Sequence, residues 1–197
     1  MKQAANIAAV AALQPDYMGF IFYPKSPRCI SEVSAELIKY VPSSIKTTGV
    51  FVNEALETVK VFIDKYALKA VQLHGNESED YCAALKTKGV EIIKAFGVTK
   101  NFDFSLLETY LNTVDELLFD TQTPDYGGSG KRFDWTLLNE YPFEKPYFLS
   151  GGIDLDDVTA IREIKDTRLY AIDVNSKFEV EPGFKVVEKL KVFKEQL

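Results

Sequence analysis

Apolar segments recur along this chain at intervals, and between them the periodicity switches to that of a helix. MGFIFY (18–23), TGVFV (48–52), AVQL (70–73), EIIKAF (91–96), ELLFD (116–120), PYFLS (146–150) and YAIDV (170–174) each read as a strand. Their near-continuous apolar character marks strands buried on both faces, the signature of a parallel sheet covered by helices. The intervening stretches supply the helices. SAELIKYV (34–41) follows the first strand, with Ser31 or Ser34 as its cap. NEALETVKVFIDKY (53–66) is amphipathic, with Leu56, Val59, Phe62 and Ile63 on one face. SEDYCAALKTKG (78–89) has Ser78 as cap and Gly89 as stop. FSLLETYLN (104–112) is weakly helical, FDWTLLNEY (133–141) begins a helix, LDDVTAIREI (155–164) is a helix, and EPGFKVVEKLKVFKEQ (181–196) closes the chain with one.

Right-handed strand–helix–strand crossovers leave two architectures, an open doubly wound sheet or a closed (βα)8 barrel. The polar residues choose between them. Arg28 follows the first strand, Gln72 and His74 end the third, Asp120 the fifth, Gly151 and Gly152 the sixth and Asp173 the seventh. An open sheet gathers function at its switch point, whereas a barrel gathers it from the ends of many strands onto one face. The expectation is therefore a single α/β domain over residues 1–197, a TIM (βα)8 barrel. Seven strands are visible and the chain opens on a helix, MKQAANIAAVAAL, so the first strand is expected ahead of Met1.

Composition narrows the function. With 197 residues there is enough chain for one sizeable core. A net charge of −6 argues against nucleic acid, which wants clustered Lys and Arg. No apolar run approaches the roughly 18 residues of a membrane span. One histidine and two cysteines without a C-x-x-C pair argue against a transition-metal site and a disulfide framework. Free thiols fit the cytoplasm.

Two glycine-bearing segments point to an anion. GGSG (127–130) alone is a flexible turn as readily as a phosphate loop. GGI (151–153) directly after a strand, with VNSKFE (174–179) after the next, matches the loops in which barrels hold phosphate. Position alone leaves Asp120 level between a catalytic carboxyl and a loop cap. His74 is likewise a strand-end hydrogen-bonding residue or a site residue. Arg28 is a solvated arginine or, by its planar guanidinium, a clamp for a carboxylate. Asp173 is a buried partner that orients others, or a catalytic group.

Taken in order, GFIFYPKSPR, GVFVN, VQLHGNES, IKAFGV, FDT, GGSGKRFDW, FLSGGI and DVNSKFEVEPGFK resemble the phosphoribosylanthranilate isomerase family along nearly the whole chain. The resemblance implies a (βα)8 barrel and a cofactor-free, metal-free Amadori rearrangement in tryptophan biosynthesis. Its substrate is a small phosphosugar–anthranilate conjugate, N-(5-phosphoribosyl)anthranilate, and its oligomeric state monomer or homodimer. It makes Asp120 the general acid and Arg28 the anthranilate clamp. His74 and Asp173 become further substrate-site residues, and Gly130, Gly151, Gly152, Asn175 and Ser176 the phosphate site. The family's base is a cysteine in a first-strand I/V-C-G-M motif, and MKQAANI matches the family's residues just after that Cys-Gly pair. Loss of that base implies an impaired enzyme, or alternatively a catalytically inactive phosphosugar-binding barrel. Lys177 stands where the family has glycine, at a steric cost if the backbone there needs positive φ.

Overall fold

The computed structural model describes residues 1–122 and 132–197. The chain runs α1 (Ala4–Ala11), β1 (Tyr17–Ile21), α2 (Glu32–Ala35), β2 (Lys46–Phe51), α3 (Leu56–Tyr66), β3 (Ala70–Leu73), α4 (Glu79–Lys86), β4 (Glu91–Val98) and β5 (Glu116–Thr121). It continues through β6 (Tyr147–Leu149), α5 (Val158–Glu163), β7 (Leu169–Ile172), β8 (Glu179–Glu181), β9 (Phe184–Lys185) and α6 (Val187–Gln196). β1 to β7 form one sheet in sequential order, every neighbouring pair parallel. Sequential parallel order follows from short right-handed crossovers that each lay a helix on the same side of the sheet.

The two faces of the sheet bury different cores. Outward-facing residues such as Leu73, Ile92, Leu117, Phe119 and Leu149 pack against the helices in the larger core. Inward-facing Ala70, Ile93, Ala95, Leu118 and Phe148 form a smaller one, joined by Tyr17 and Ala171. The sheet curls around this inner cluster. Tyr17 of β1 meets Phe148 of β6 edge-on, with centroids 5.0 Å apart, and Tyr170 of β7 at 6.4 Å. The Tyr17 and Tyr170 hydroxyls also lie 3.4 Å apart. First and last strands thus approach at their amino-terminal ends.

Local chemistry explains most boundaries. Ser31 and Ser78 cap α2 and α4, accepting from the backbone N–H of Ser34 and Tyr81. The expected helices over 104–112 and 133–141 are 3-10 turns instead, Phe104–Tyr110 and Trp135–Glu140. Asp103 and Asp134 tighten their starts by accepting from Ser105 and Thr136, and Pro142 forces Tyr141 out of the helical region. The closing helix starts at Val187 rather than residue 181. Glu179 to Lys185 form the β8–β9 hairpin, because Pro182-Gly183 is a turn pair and Gly183 takes φ +89°. Among the described residues no helix is long and apolar enough to cross a membrane.

Candidate active site

Side chains alternate across a strand, so residues of one parity share a face. The inner core fixes that parity: Ala70 in β3, Leu118 in β5, Phe148 in β6, Ala171 in β7. Two residues further along β5, β6 and β7 stand Asp120, Ser150 and Asp173, and along β3 stand Gln72 and then His74. All five line one cavity of about 590 Å3, which runs from the carboxyl ends of the strands down to Tyr17 and Tyr170 at the other end of β1 and β7. Arg28, Gly151, Gly152, Asn175 and Ser176 line it as well. Gly130 lies outside the described residues.

Gln72, His74 and Asp120 form a chain. The Gln72 amide nitrogen lies 3.0 Å from His74 Nδ1, and an amide N–H only donates. Nδ1 is therefore the acceptor and the ring proton sits on Nε2, which faces Asp120 Oδ2 at 3.3 Å. Asp120 Oδ1 accepts the Thr121 backbone N–H at 2.7 Å. Beside them, the Ser150 hydroxyl donates to Asp173 Oδ2 at 3.1 Å. Burial, and next the charge of Asp120, push the Asp173 carboxyl above the usual carboxylate range. Asp173 thus shares the enclosed space with a second carboxyl group, that of Asp120.

The loop after β6 is shaped by its glycines. Gly151 has φ +95° and Gly152 φ +67°. A Cβ on Gly151 would come within 2.5 Å of Thr121 Oγ1 and 2.8 Å of Asp120 Oδ1, so the loop lies directly against the β5 carboxyl. Asn175 and Ser176 belong to the next loop, where a 3-10 turn covers Ser176–Phe178. Among the described residues the non-glycine positive-φ positions are Gln14, Asn53 and Ala67. Lys177 therefore carries no left-handed strain, and its backbone carbonyl accepts from Lys189 Nζ at 2.7 Å.

Arg28 is not a solvated arginine. Its Nε donates to Glu179 Oε2 at 2.8 Å, and its side chain is 13 % exposed. Glu179 also accepts from Lys185 Nζ at 3.1 Å, and Lys185 Nζ donates to the Asn175 carbonyl at 3.0 Å and to Asn175 Oδ1 at 2.6 Å. Burial lowers the Lys185 ammonium below the usual lysine range. Burial opposes ionisation of Glu179, but Lys185 and Arg28 outweigh it and hold that carboxyl below its ordinary range. Sequence reading missed Glu179, Lys185 and Ser150. Parity along β6 marks Ser150, two residues past inward Phe148; Glu179 and Lys185 carry no such local signal.

Fold and cavity together define a sequentially wound parallel β/α protein with a polar site at the carboxyl ends of its strands. The family model described as "PRAI: N-(5'phosphoribosyl)anthranilate (PRA) isomerase" matches residues 1–196. The chain is 43 % identical to the N-(5'-phosphoribosyl)anthranilate isomerase of Parabacteroides distasonis over 199 aligned positions, covering 100 % of this chain and 90 % of that one. A crystal structure of phosphoribosyl anthranilate isomerase from Thermotoga maritima superposes with TM-score 0.88 at 35 % identity, covering 100 % of this chain and 94 % of that one. A crystal structure of a phosphoribosyl anthranilate isomerase in complex with reduced 1-(o-carboxyphenylamino)-1-deoxyribulose 5-phosphate superposes with TM-score 0.83 at 31 % identity, covering 98 % and 93 %. The chain belongs to the N-(5'-phosphoribosyl)anthranilate isomerase family.

Proposed function

We propose that this chain acts on N-(5'-phosphoribosyl)anthranilate, converting the aminoaldose to the aminoketose 1-(2-carboxyphenylamino)-1-deoxyribulose 5-phosphate in tryptophan biosynthesis. The observation that carries this reading is one cavity lined by Arg28, by the Gly151–Gly152 and Asn175–Ser176 loops, and by Asp120 beside His74. A substrate with a carboxylate, a ribose ring and a phosphate matches that set of groups. In this reading Asp120 gives its proton to the ribose ring oxygen as the C1–O bond breaks, which opens the ring to the protonated imine. Transfer of the C2 proton to a base then yields the neutral enolamine, which tautomerises to the ketone. His74, with its proton on Nε2, steadies the Asp120 carboxylate once that proton has gone. Asp173 shares the cavity as an orienting group.

The seven-stranded sheet fits an arc of a (βα)8 barrel, and in this reading the eighth strand has its place between β1 and β7. The resemblance assigns the C2 base to a cysteine of that strand. Neither Cys29 nor Cys82 lines the cavity. Burial pushes the Cys82 thiol up to about 12, far from a thiolate at neutral pH. The cytoplasm, where Cys29 and Cys82 stay reduced, suits such an enzyme. The test is ketose formation followed by NMR, for this chain and for one extended upstream through an apolar strand ending in Cys-Gly. Turnover by the extended chain, lost on Asp120→Asn, supports the reading. An extended chain that binds the reduced ketose analogue without turning substrate over sinks it.

A further inference from the structure

The ion-pair cluster behind Arg28 has no place in the proton transfers, yet it is built with unusual completeness. Arg28 uses its Nε on Glu179 Oε2 at 2.8 Å, and among the described residues no side chain engages its two terminal nitrogens. Those nitrogens form the fork that matches a carboxylate two-to-two. Glu179 has no slack with which to leave. Its side chain is 4 % exposed, Oε1 takes Lys185 Nζ at 3.1 Å and the Gly183 backbone N–H at 3.1 Å, and Oε2 takes Arg28. The carboxylate is thus fixed to the β8–β9 hairpin on one side and fixes the guanidinium on the other.

The cluster sets Arg28 and Lys185 around Glu179, with the Asp173 carboxyl and the Met1 amino group close enough to interact with Lys185. Lys185 also holds Asn175 through both its carbonyl and Oδ1, which ties the cluster to the loop after β7. Asn6 clamps the backbone of Lys185 from α1, its Nδ2 donating to the Lys185 carbonyl and its Oδ1 accepting the Lys185 N–H, each at 2.8 Å.

We propose that Glu179 is a positioning residue that aims the Arg28 fork, and that through it the site selects ligands bearing a carboxylate on the aryl ring. This rests on the isomerase reading above. Two roles for Glu179 make opposite predictions. If Glu179 merely adds negative charge near Arg28, removing it strengthens binding of an anionic aryl group. If it aims the fork, removing it weakens that binding although the local potential becomes more positive.

The experiment uses the whole chain and two probes: reduced 1-(o-carboxyphenylamino)-1-deoxyribulose 5-phosphate, and the same compound without the ring carboxylate. Affinities are measured by titration calorimetry for the native chain, Glu179→Gln and Glu179→Asp. Asp keeps the charge that Lys185 needs but is one methylene short of Arg28, so it separates aiming from folding. The native chain is expected to prefer the carboxylated probe, and each variant to lose about tenfold of that preference, the worth of one charge-assisted contact. In an Arg28→Met background neither Glu179 substitution should change the ratio further. A preference that is unchanged or increased overturns the proposal, and so does an equal loss for both probes, which is what a purely structural role gives. If the native chain prefers neither probe, the clamp role of Arg28 fails; if it binds neither, the isomerase reading itself fails and takes this proposal with it.

Discussion

Glu77 and Lys94 are the pair whose removal should cost most for the fewest atoms. Both side chains are 2 % exposed, with Lys94 Nζ 3.3 Å from Glu77 Oε2. Glu77 Oε1 accepts the Asn53 N–H at 2.7 Å and Oε2 the Gly75 N–H at 3.0 Å. Lys94 donates to the carbonyls of Leu73 at 3.2 Å, Gly75 at 2.7 Å and Ala95 at 3.1 Å. The pair therefore staples the loop that carries His74 to the ends of β2 and β4. Glu77→Ala leaves an ammonium buried without its counter-charge and two backbone N–H groups without acceptors. Breaking a buried pair from one side typically costs about 3–5 kcal/mol, a large share of the ~5–15 kcal/mol that holds a domain together. Glu77→Gln with Lys94→Met removes both charges at once and should recover most of the loss. The pH dependence gives an independent check. Burial already holds the Lys94 ammonium below the usual lysine range. Without Glu77 it is depressed further, so the native state binds fewer protons than the unfolded chain over a wider window below 10.5. Stability of the Ala variant should therefore rise with pH below 10.5 over a wider range than in the native chain. Urea unfolding across that pH range measures both effects. A loss under about 1 kcal/mol, or a variant with the native pH slope, would refute the argument that the pair is charged and structurally required.

Three further outcomes rest on single positions. Gly151→Ala places a methyl against Asp120 and Thr121 at a φ of +95°, so it should lower stability by about 2–4 kcal/mol and weaken phosphate-ligand binding, read by thermal unfolding and calorimetry. Asp120→Asn should cut turnover of the extended chain about 10²–10⁴-fold while leaving affinity for the reduced ketose analogue within severalfold, checked by steady-state kinetics beside calorimetry. Burial and then the charge of Glu91 push the Glu116 carboxyl up to about 8 from 4.5. The native state thus keeps a proton that the unfolded chain has released, so Glu116 makes stability fall as pH rises between those values; Glu116→Gln should flatten that part of the profile in denaturant titrations.

The strands were legible because a parallel sheet buried on both faces writes its strands as apolar runs, and ELLFD or EIIKAF has no competing periodicity. The segments that misled are those where a turn outranks periodicity. Residues 181–196 carry a helical pattern from end to end, yet Pro182-Gly183 reverses the chain and the helix waits for Val187. At 133–141 the apolar spacing is helical too, but Asp134 and Pro142 leave room only for a 3-10 turn. In both cases two or three residues with fixed backbone preferences decide against a longer, weaker signal.

The site divides along the same line. His74, Asp120 and Asp173 follow from strand ends, because once Ala70, Leu118 and Ala171 face inward, parity delivers residues 74, 120 and 173 to the same space. That inference is local and needs no partner. Arg28 is different: what it does depends on Glu179, 151 residues away, and on the hairpin that holds Glu179 still. Nothing in SPRC or in FEVEP announces that meeting, since each reads as ordinary loop polarity. The candidate residues at strand ends are therefore written in the sequence by periodicity, whereas the contacts that hold Arg28 are written only in the fold. A search for positioning residues in such proteins gains most from asking which buried carboxylates already have every oxygen engaged, as Glu179 does, because such a group is fixed and can fix its neighbour.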